Sequence, residues 1–168
     1  SGITILGMMG EAQKLSPVES QAVMDRVINR VAGRVPVVVG VSNRDMSKLA
    51  ALANSAMKAG AAGVMVAPND EHNSDEAIYE YFIAVDKAMG SQIPFIYQDF
   101  PLVTKAPISV ECLMKIIRDI PQVVMLKHED WPGLEKLSEL RAKSEAEGLR
   151  RISVLCGNGG LYLPQELT

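Results

Sequence analysis

Histidine, cysteine, basic runs and long apolar runs are scarce in this chain of 168 residues. Two histidines are too few for a zinc site built from several imidazoles. The two cysteines, Cys112 and Cys156, lack the spacing of metal ligands and fall inside apolar patterns, as core thiols in a reducing cytoplasm do. No basic run exceeds Arg150-Arg151 and the formal net charge is -3, so no nucleic-acid partner is expected. The apolar stretches are far too short to cross a bilayer. No charged segment leading into a long apolar one opens the chain, so no membrane or secretory signal is expected either, and the expected compartment is the cytoplasm. A Gly-x-Gly-x-x-Gly turn is missing after the first apolar run, which weakens a dinucleotide site. With 48% hydrophobic residues, what remains is a globular chain with a substantial core.

Short apolar runs recur at a spacing of about 30 residues, the length of a βαβ unit. They are Ile3–Leu6, Val35–Val41, Gly63–Ala67, Ile93–Tyr97, Val123–Lys127 and Ile152–Cys156. The segments between them have helical periodicity and start signals. Ser16-Pro17-Val18-Glu19 reads as a capping box with proline at the first helical position, followed by a stripe of Val23, Val27 and Val31. Gly60 and Gly90 read as helix stops. Ser74, followed by Asp75 and Glu76, opens a helix whose buried stripe is Ile78, Phe82, Val85 and Met89. Ser109 caps a short helix carrying Leu113, Ile116 and Ile117. Asp130, ahead of Trp131-Pro132, reads as one more helix cap.

Strict alternation of strand and helix means right-handed βαβ units and a parallel sheet in an α/β fold. Both an open doubly wound sheet and an incomplete (β/α)8 TIM barrel satisfy that pattern. Polar residues gather after every strand end, at Glu11, Asn43, Asn69, Gln98, Glu129 and Asn158. Their distribution over all the strands favours a barrel mouth.

Lys127 ends the apolar run Val123-Val124-Met125-Leu126 and is followed by His128, Glu129 and Asp130. A run so rich in β-branched residues reads as a strand buried on both faces. Lysine is the side chain whose amine becomes a nucleophile once desolvation lowers its pKa. Bringing that pKa from about 10.4 to near 7 takes about 4–5 kcal/mol, which only a largely buried site imposes. The alternative is a strand-end lysine that snorkels to water.

With these residues in place, the chain resembles the pyruvate-dependent class I aldolase and dehydratase superfamily that includes dihydrodipicolinate synthase and N-acetylneuraminate lyase. Gly7-Met8-Met9-Gly10-Glu11 is similar to that family's Gly-x-x-Gly-Glu loop, and Tyr97 to its strand-five tyrosine. Lys127 is similar to its Schiff-base lysine, and Gly157-Asn158-Gly159-Gly160 to its strand-seven turn. The resemblance implies one domain over residues 1–168, a (β/α)8 barrel without the family's first and last strands. It implies Lys127 and Tyr97 as catalytic residues, with Tyr97 shuttling protons. Gly7, Met8, Met9, Gly10, Gln98, Asp99, Glu129, Gly157 and Asn158 are its candidate substrate-binding residues. No cofactor and no metal is implied, and the partner is a small 2-keto acid.

This chain departs from the family in places that bear on substrate. Met8 and Met9 stand where the synthases carry Thr-Thr and the neuraminate lyases Ser-Thr, so only backbone N–H groups of the loop are left to hold a carboxylate. As side chains, these methionines read as core or pocket wall. Asn69 and Asp70 stand in place of a Tyr-Tyr pair, and the stretch Tyr97-Gln98-Asp99-Phe100-Pro101-Leu102 lacks the synthases' arginine. The expectation is therefore a lyase for a sugar-derived 2-keto-3-deoxy acid, whose hydroxyls would meet Gln98, Asp99, His128 and Glu129. Tyr97 and Lys127 should point into one cleft. Two other readings stand beside this one. A metal-dependent lyase could use His128, Glu129 and Asp130, and an open barrel could keep catalytic residues without activity. Unpaired outer strands, Ile3–Leu6 and Ile152–Cys156, make a homo-oligomer the expected form.

Overall fold

The computed structural model describes Gly2–Leu167. Strands and helices alternate from β1 (Ile3–Ile5) to β6 (Ser153–Cys156), near the positions expected from the apolar runs. By its contacts the chain divides into two compact units, each built of βα repeats.

The first unit comprises the residues up to Val66 together with Val85–Phe95. It holds β1, α1 (Pro17–Val31), β2 (Val37–Gly40), α2 (Met46–Ala59) and β3 (Gly63–Val66). These strands lie side by side in chain order and run parallel, with Ile3 opposite Val37 and Gly40 opposite Met65. α1 starts as its sequence dictates. The Ser16 hydroxyl accepts from the Glu19 N–H at 3.3 Å, and the Glu19 carboxylate accepts from the Ser16 N–H at 2.8 Å. Its buried face differs from the expected valine stripe. Ser20, Met24 and Val31 turn inward, while Val23 is 37% exposed. Both stripes have helical spacing, so spacing identifies the helix without choosing its inward side. Gly40 has a steric cause, because a Cβ there would lie 2.1 Å from the Leu6 carbonyl oxygen.

The second unit comprises Ala67–Ala84 and the residues from Ile96 onward. It contains the first part of α3 (Asp75–Met89) and all but the first residue of β4 (Phe95–Asp99). α4 (Pro101–Thr104), α5 (Val110–Asp119), β5 (Val123–His128), α6 (Leu134–Ala146), β6 and α7 (Leu163–Glu166) follow. β4, β5 and β6 are neighbours in that order, and β5 and β6 are parallel with Lys127 opposite Leu155. The Ser74 and Ser109 hydroxyls cap α3 and α5, accepting from the N–H groups of Ala77 and Cys112. The expected stripes on both helices are buried, including Ile78 and Phe82 on α3 and Leu113, Ile116 and Ile117 on α5. Cys112 is buried and Cys156 half-buried, both as free thiols.

Two local expectations fail. Gly133, not Asp130, is the N-cap of α6, and the Asp130 carboxylate instead accepts from Lys136 at 3.1 Å. β4 also runs two residues past the apolar run, through Gln98 and Asp99. Both polar side chains are buried with partners, and that pairing is what lets a strand continue past its apolar stretch.

Candidate active site

The register of β4 against β5 follows from one backbone bond, the Glu129 N–H to the Asp99 carbonyl at 2.8 Å. In a parallel pair, a residue's N–H bonds the carbonyl just before the residue opposite it. β5 and β6 show the same rule: the Gly157 N–H bonds the His128 carbonyl, one step beyond the pair His128 and Cys156. Glu129 therefore lies opposite Phe100, and Lys127 opposite Gln98. Side chains alternate across a strand, so Gln98, Lys127 and Glu129 share one face. Tyr97, Asp99 and His128 take the other.

On the first face, Lys127 Nζ lies 3.1 Å from Glu129 Oε2, with side chains 17% and 5% exposed. The same carboxylate oxygen accepts from Gln98 Nε2 at 2.6 Å. Gly157 sits against this group, and a Cβ on it would come within 2.0 Å of Glu129 Cγ. Asn158 follows at φ 50° and opens the short turn Asn158–Gly160.

The opposite face is a separate layer under the helices. The Tyr97 ring is fully buried, with its centroid 4.6 Å from that of Phe82 on α3. Among the described residues its hydroxyl has no hydrogen-bond partner. Burial, reinforced by the Asp99 carboxylate, pushes the Tyr97 phenol well above its ordinary value. Asp99 Oδ2 accepts from Lys136 Nζ at 2.7 Å and lies 3.7 Å from His128 Nδ1.

This arrangement corrects two expectations. Tyr97 and Lys127 do not point into one cleft, and neither Asp99 nor His128 faces a ligand held at Lys127. Both corrections have one cause: a single residue step along a strand moves a side chain through the sheet. The coupling of Gln98 through Glu129 to Lys127 was missed from sequence. Glu129 lies two positions past Lys127, and that spacing was its only signal.

The glycine loop of the first unit is a tight turn over Met8–Gly10, with the Gly10 N–H already bonded to the Gly7 carbonyl at 3.1 Å. Met8 is half-buried, whereas Met9 is 87% exposed and is not core. Gly7 is tightly packed, its notional Cβ 3.3 Å from Met65 Cε, and Glu11 pairs with Lys14 at the surface. Among the described residues no group of three or more His, Cys, Asp and Glu side chains is arranged to hold a metal ion. No described helix is long and apolar enough to cross a membrane.

Residues 1–165 match the dihydrodipicolinate synthetase family. The chain belongs to that family. Among curated relatives, a 4-hydroxy-tetrahydrodipicolinate synthase of Rhizobium meliloti is 34% identical over 82% of this chain and 48% of its own length. One from Thermus thermophilus is 31% identical over 97% of this chain and 53% of its own length. The chain thus spans about half the length of the curated relatives it matches. The crystal structure of dihydrodipicolinate synthase from Rhodopseudomonas palustris superposes with a TM-score of 0.94 at 44% identity, over 99% of this chain and 55% of that one. The enzyme from Aquifex aeolicus gives 0.83 at 27% identity, over 98% and 55%. The α/β fold is that of part of a (β/α)8 barrel, as the strand-end pattern led us to expect.

Proposed function

We propose that the protein carrying this chain is a class I aldolase-type lyase that binds a 2-keto acid as a Schiff base on Lys127. The observation that carries this reading is a mostly buried strand-end lysine whose Nζ lies 3.1 Å from a buried carboxylate, Glu129. The Lys127 amine adds to the C2 carbonyl, and loss of water leaves a protonated imine. That imine is an electron sink, so a carbanion at C3 is held as an enamine. The enamine permits C3–C4 bond making or breaking, or loss of a C4 hydroxyl.

The relatives are named for 4-hydroxy-tetrahydrodipicolinate synthesis. For this chain a sugar-derived 2-keto-3-deoxy acid is the better reading. Met8 and Met9 offer no hydroxyl to a small keto acid, and Gln98 and Glu129 put polar groups on the Lys127 face. Each hydrogen bond to a charged group contributes about 1.5–3 kcal/mol, so losing two weakens free pyruvate strongly. A homo-oligomer acting in the cytoplasm completes the proposal.

Borohydride reduction with pyruvate and with a 2-keto-3-deoxy acid tests this reading. The peptide containing Lys127 should gain the mass of the reduced acid, and Lys127→Arg should gain nothing, since a guanidinium stays protonated. A wild-type peptide that gains no mass with either acid refutes the Schiff base. Turnover of pyruvate with aspartate semialdehyde, and of no 2-keto-3-deoxy acid, refutes the substrate class.

A further inference from the structure

Imine formation moves protons. For an ammonium to become an imine nitrogen, two protons must leave Nζ and reach the departing carbonyl oxygen, which goes as water. A carrier must sit within hydrogen-bond reach of Nζ and alternate between base and acid. Tyr97 is disqualified by its position in the layer beneath the helices, with its ring on Phe82. His128 and Asp99 share that side, where Asp99 is engaged by Lys136. Among these strand-end residues, Glu129 is the titratable group that faces Lys127.

From this geometry we infer that Glu129 is the catalytic acid–base of the Schiff-base chemistry in this chain, with Gln98 as the residue that positions its carboxylate. The inference rests on the Schiff-base reading above. Glu129 first takes a proton from the Lys127 ammonium, freeing the lone pair that attacks C2. The new C–N bond forms as the carbonyl π pair moves to oxygen. Glu129 delivers its proton to that oxygen, giving a carbinolamine. It then takes the second nitrogen proton and returns it to the hydroxyl, which leaves as water while the nitrogen lone pair closes the C=N bond. The remaining N–H makes the imine cationic, and Glu129 ends as it began, as a carboxylate. It is then placed to take a C3 proton and form the enamine.

The surroundings suit the role. Gln98 donates at 2.6 Å to the same oxygen that faces Nζ, holding that oxygen beside the amine. Gly157 leaves the Glu129 side chain room that any Cβ would occupy.

The test is the rate at which pyruvate or a 2-keto-3-deoxy acid forms the borohydride-trapped Lys127 adduct, measured across pH in wild type, Glu129→Gln and Glu129→Asp. Thermal unfolding of each variant checks that it folds. General acid–base groups contribute about 10²–10⁴-fold, so Glu129→Gln should slow trapping by about that factor and lose the pH dependence that wild type shows. Glu129→Asp keeps the carboxylate but draws it back by one methylene, so it should keep the pH dependence at a rate at least about tenfold below wild type. Folded Gln and Asp variants that trap at the wild-type rate overturn the role of Glu129 and leave the Schiff base standing. If Glu129→Gln does not fold, the Asp variant decides alone, and a wild-type rate in it overturns the inference. No adduct in wild type overturns the Schiff-base reading, and this inference with it.

Discussion

Replacing Tyr97 by Phe separates the two faces of β4 in one experiment. The Tyr97 hydroxyl is fully buried, has no partner among the described residues, and lies on the face away from Lys127. A buried hydroxyl without a partner costs about 1–3 kcal/mol of desolvation. Phe removes that group while keeping the ring on Phe82, at the loss of only a few dispersion contacts, so a net gain of about 1 kcal/mol is expected. In a chain of this length that corresponds to a rise in Tm of about 2–4 °C. The Lys127 adduct should form at the wild-type rate, because the removed oxygen is not on the reacting face. Thermal unfolding followed by circular dichroism, with borohydride trapping on the same sample, gives both readings. A folded Tyr97→Phe protein that traps a hundredfold more slowly would restore the tyrosine as proton shuttle and refute the face assignment. A loss of more than about 1 kcal/mol would show that the hydroxyl has a partner after all.

Gly157→Ala should destabilise the protein by about 1–3 kcal/mol through overpacking, because its Cβ would meet Glu129 Cγ at 2.0 Å, and it should slow Lys127 trapping as Glu129 is displaced. Chemical denaturation and adduct kinetics read the two effects, and a variant unchanged in both contradicts the contact. At alkaline pH, Tyr81 and Tyr97 should stay protonated until the fold opens, because burial raises both phenols above the ordinary 10.0. Above that pH the native state holds more protons than the unfolded chain, so stability is complete below it and falls as pH rises. Phenolate absorbance should show these two tyrosines ionising together with unfolding, and smooth titration of every tyrosine in the folded protein would contradict their burial.

The class of fold was legible because it rests on local patterns. Apolar runs at βαβ spacing mark the strands, and hydroxyl caps at Ser16, Ser74 and Ser109 start helices where their side chains can satisfy open N–H groups. Lys127 stood out for the same reason, as a charge ending an apolar run. Local pattern does not carry the side of the sheet on which a residue lies. Tyr97 and Gln98 are adjacent in sequence and both buried, yet one packs on Phe82 while the other reaches Glu129. The apolar run gave no means of choosing, since β4 is buried at every position and shows no alternation. Likewise, Met24 rather than Val23 faces inward on α1, although both lie on helically spaced stripes. The sequence by itself determined the alternation of strands and helices, the helix starts at Ser16, Ser74 and Ser109 and the position of Lys127 at a strand end, because each depends on neighbours a few residues away. Only the tertiary structure decided which groups surround Lys127. Register between parallel strands joins residues about 30 apart, and one step of register exchanges the two faces.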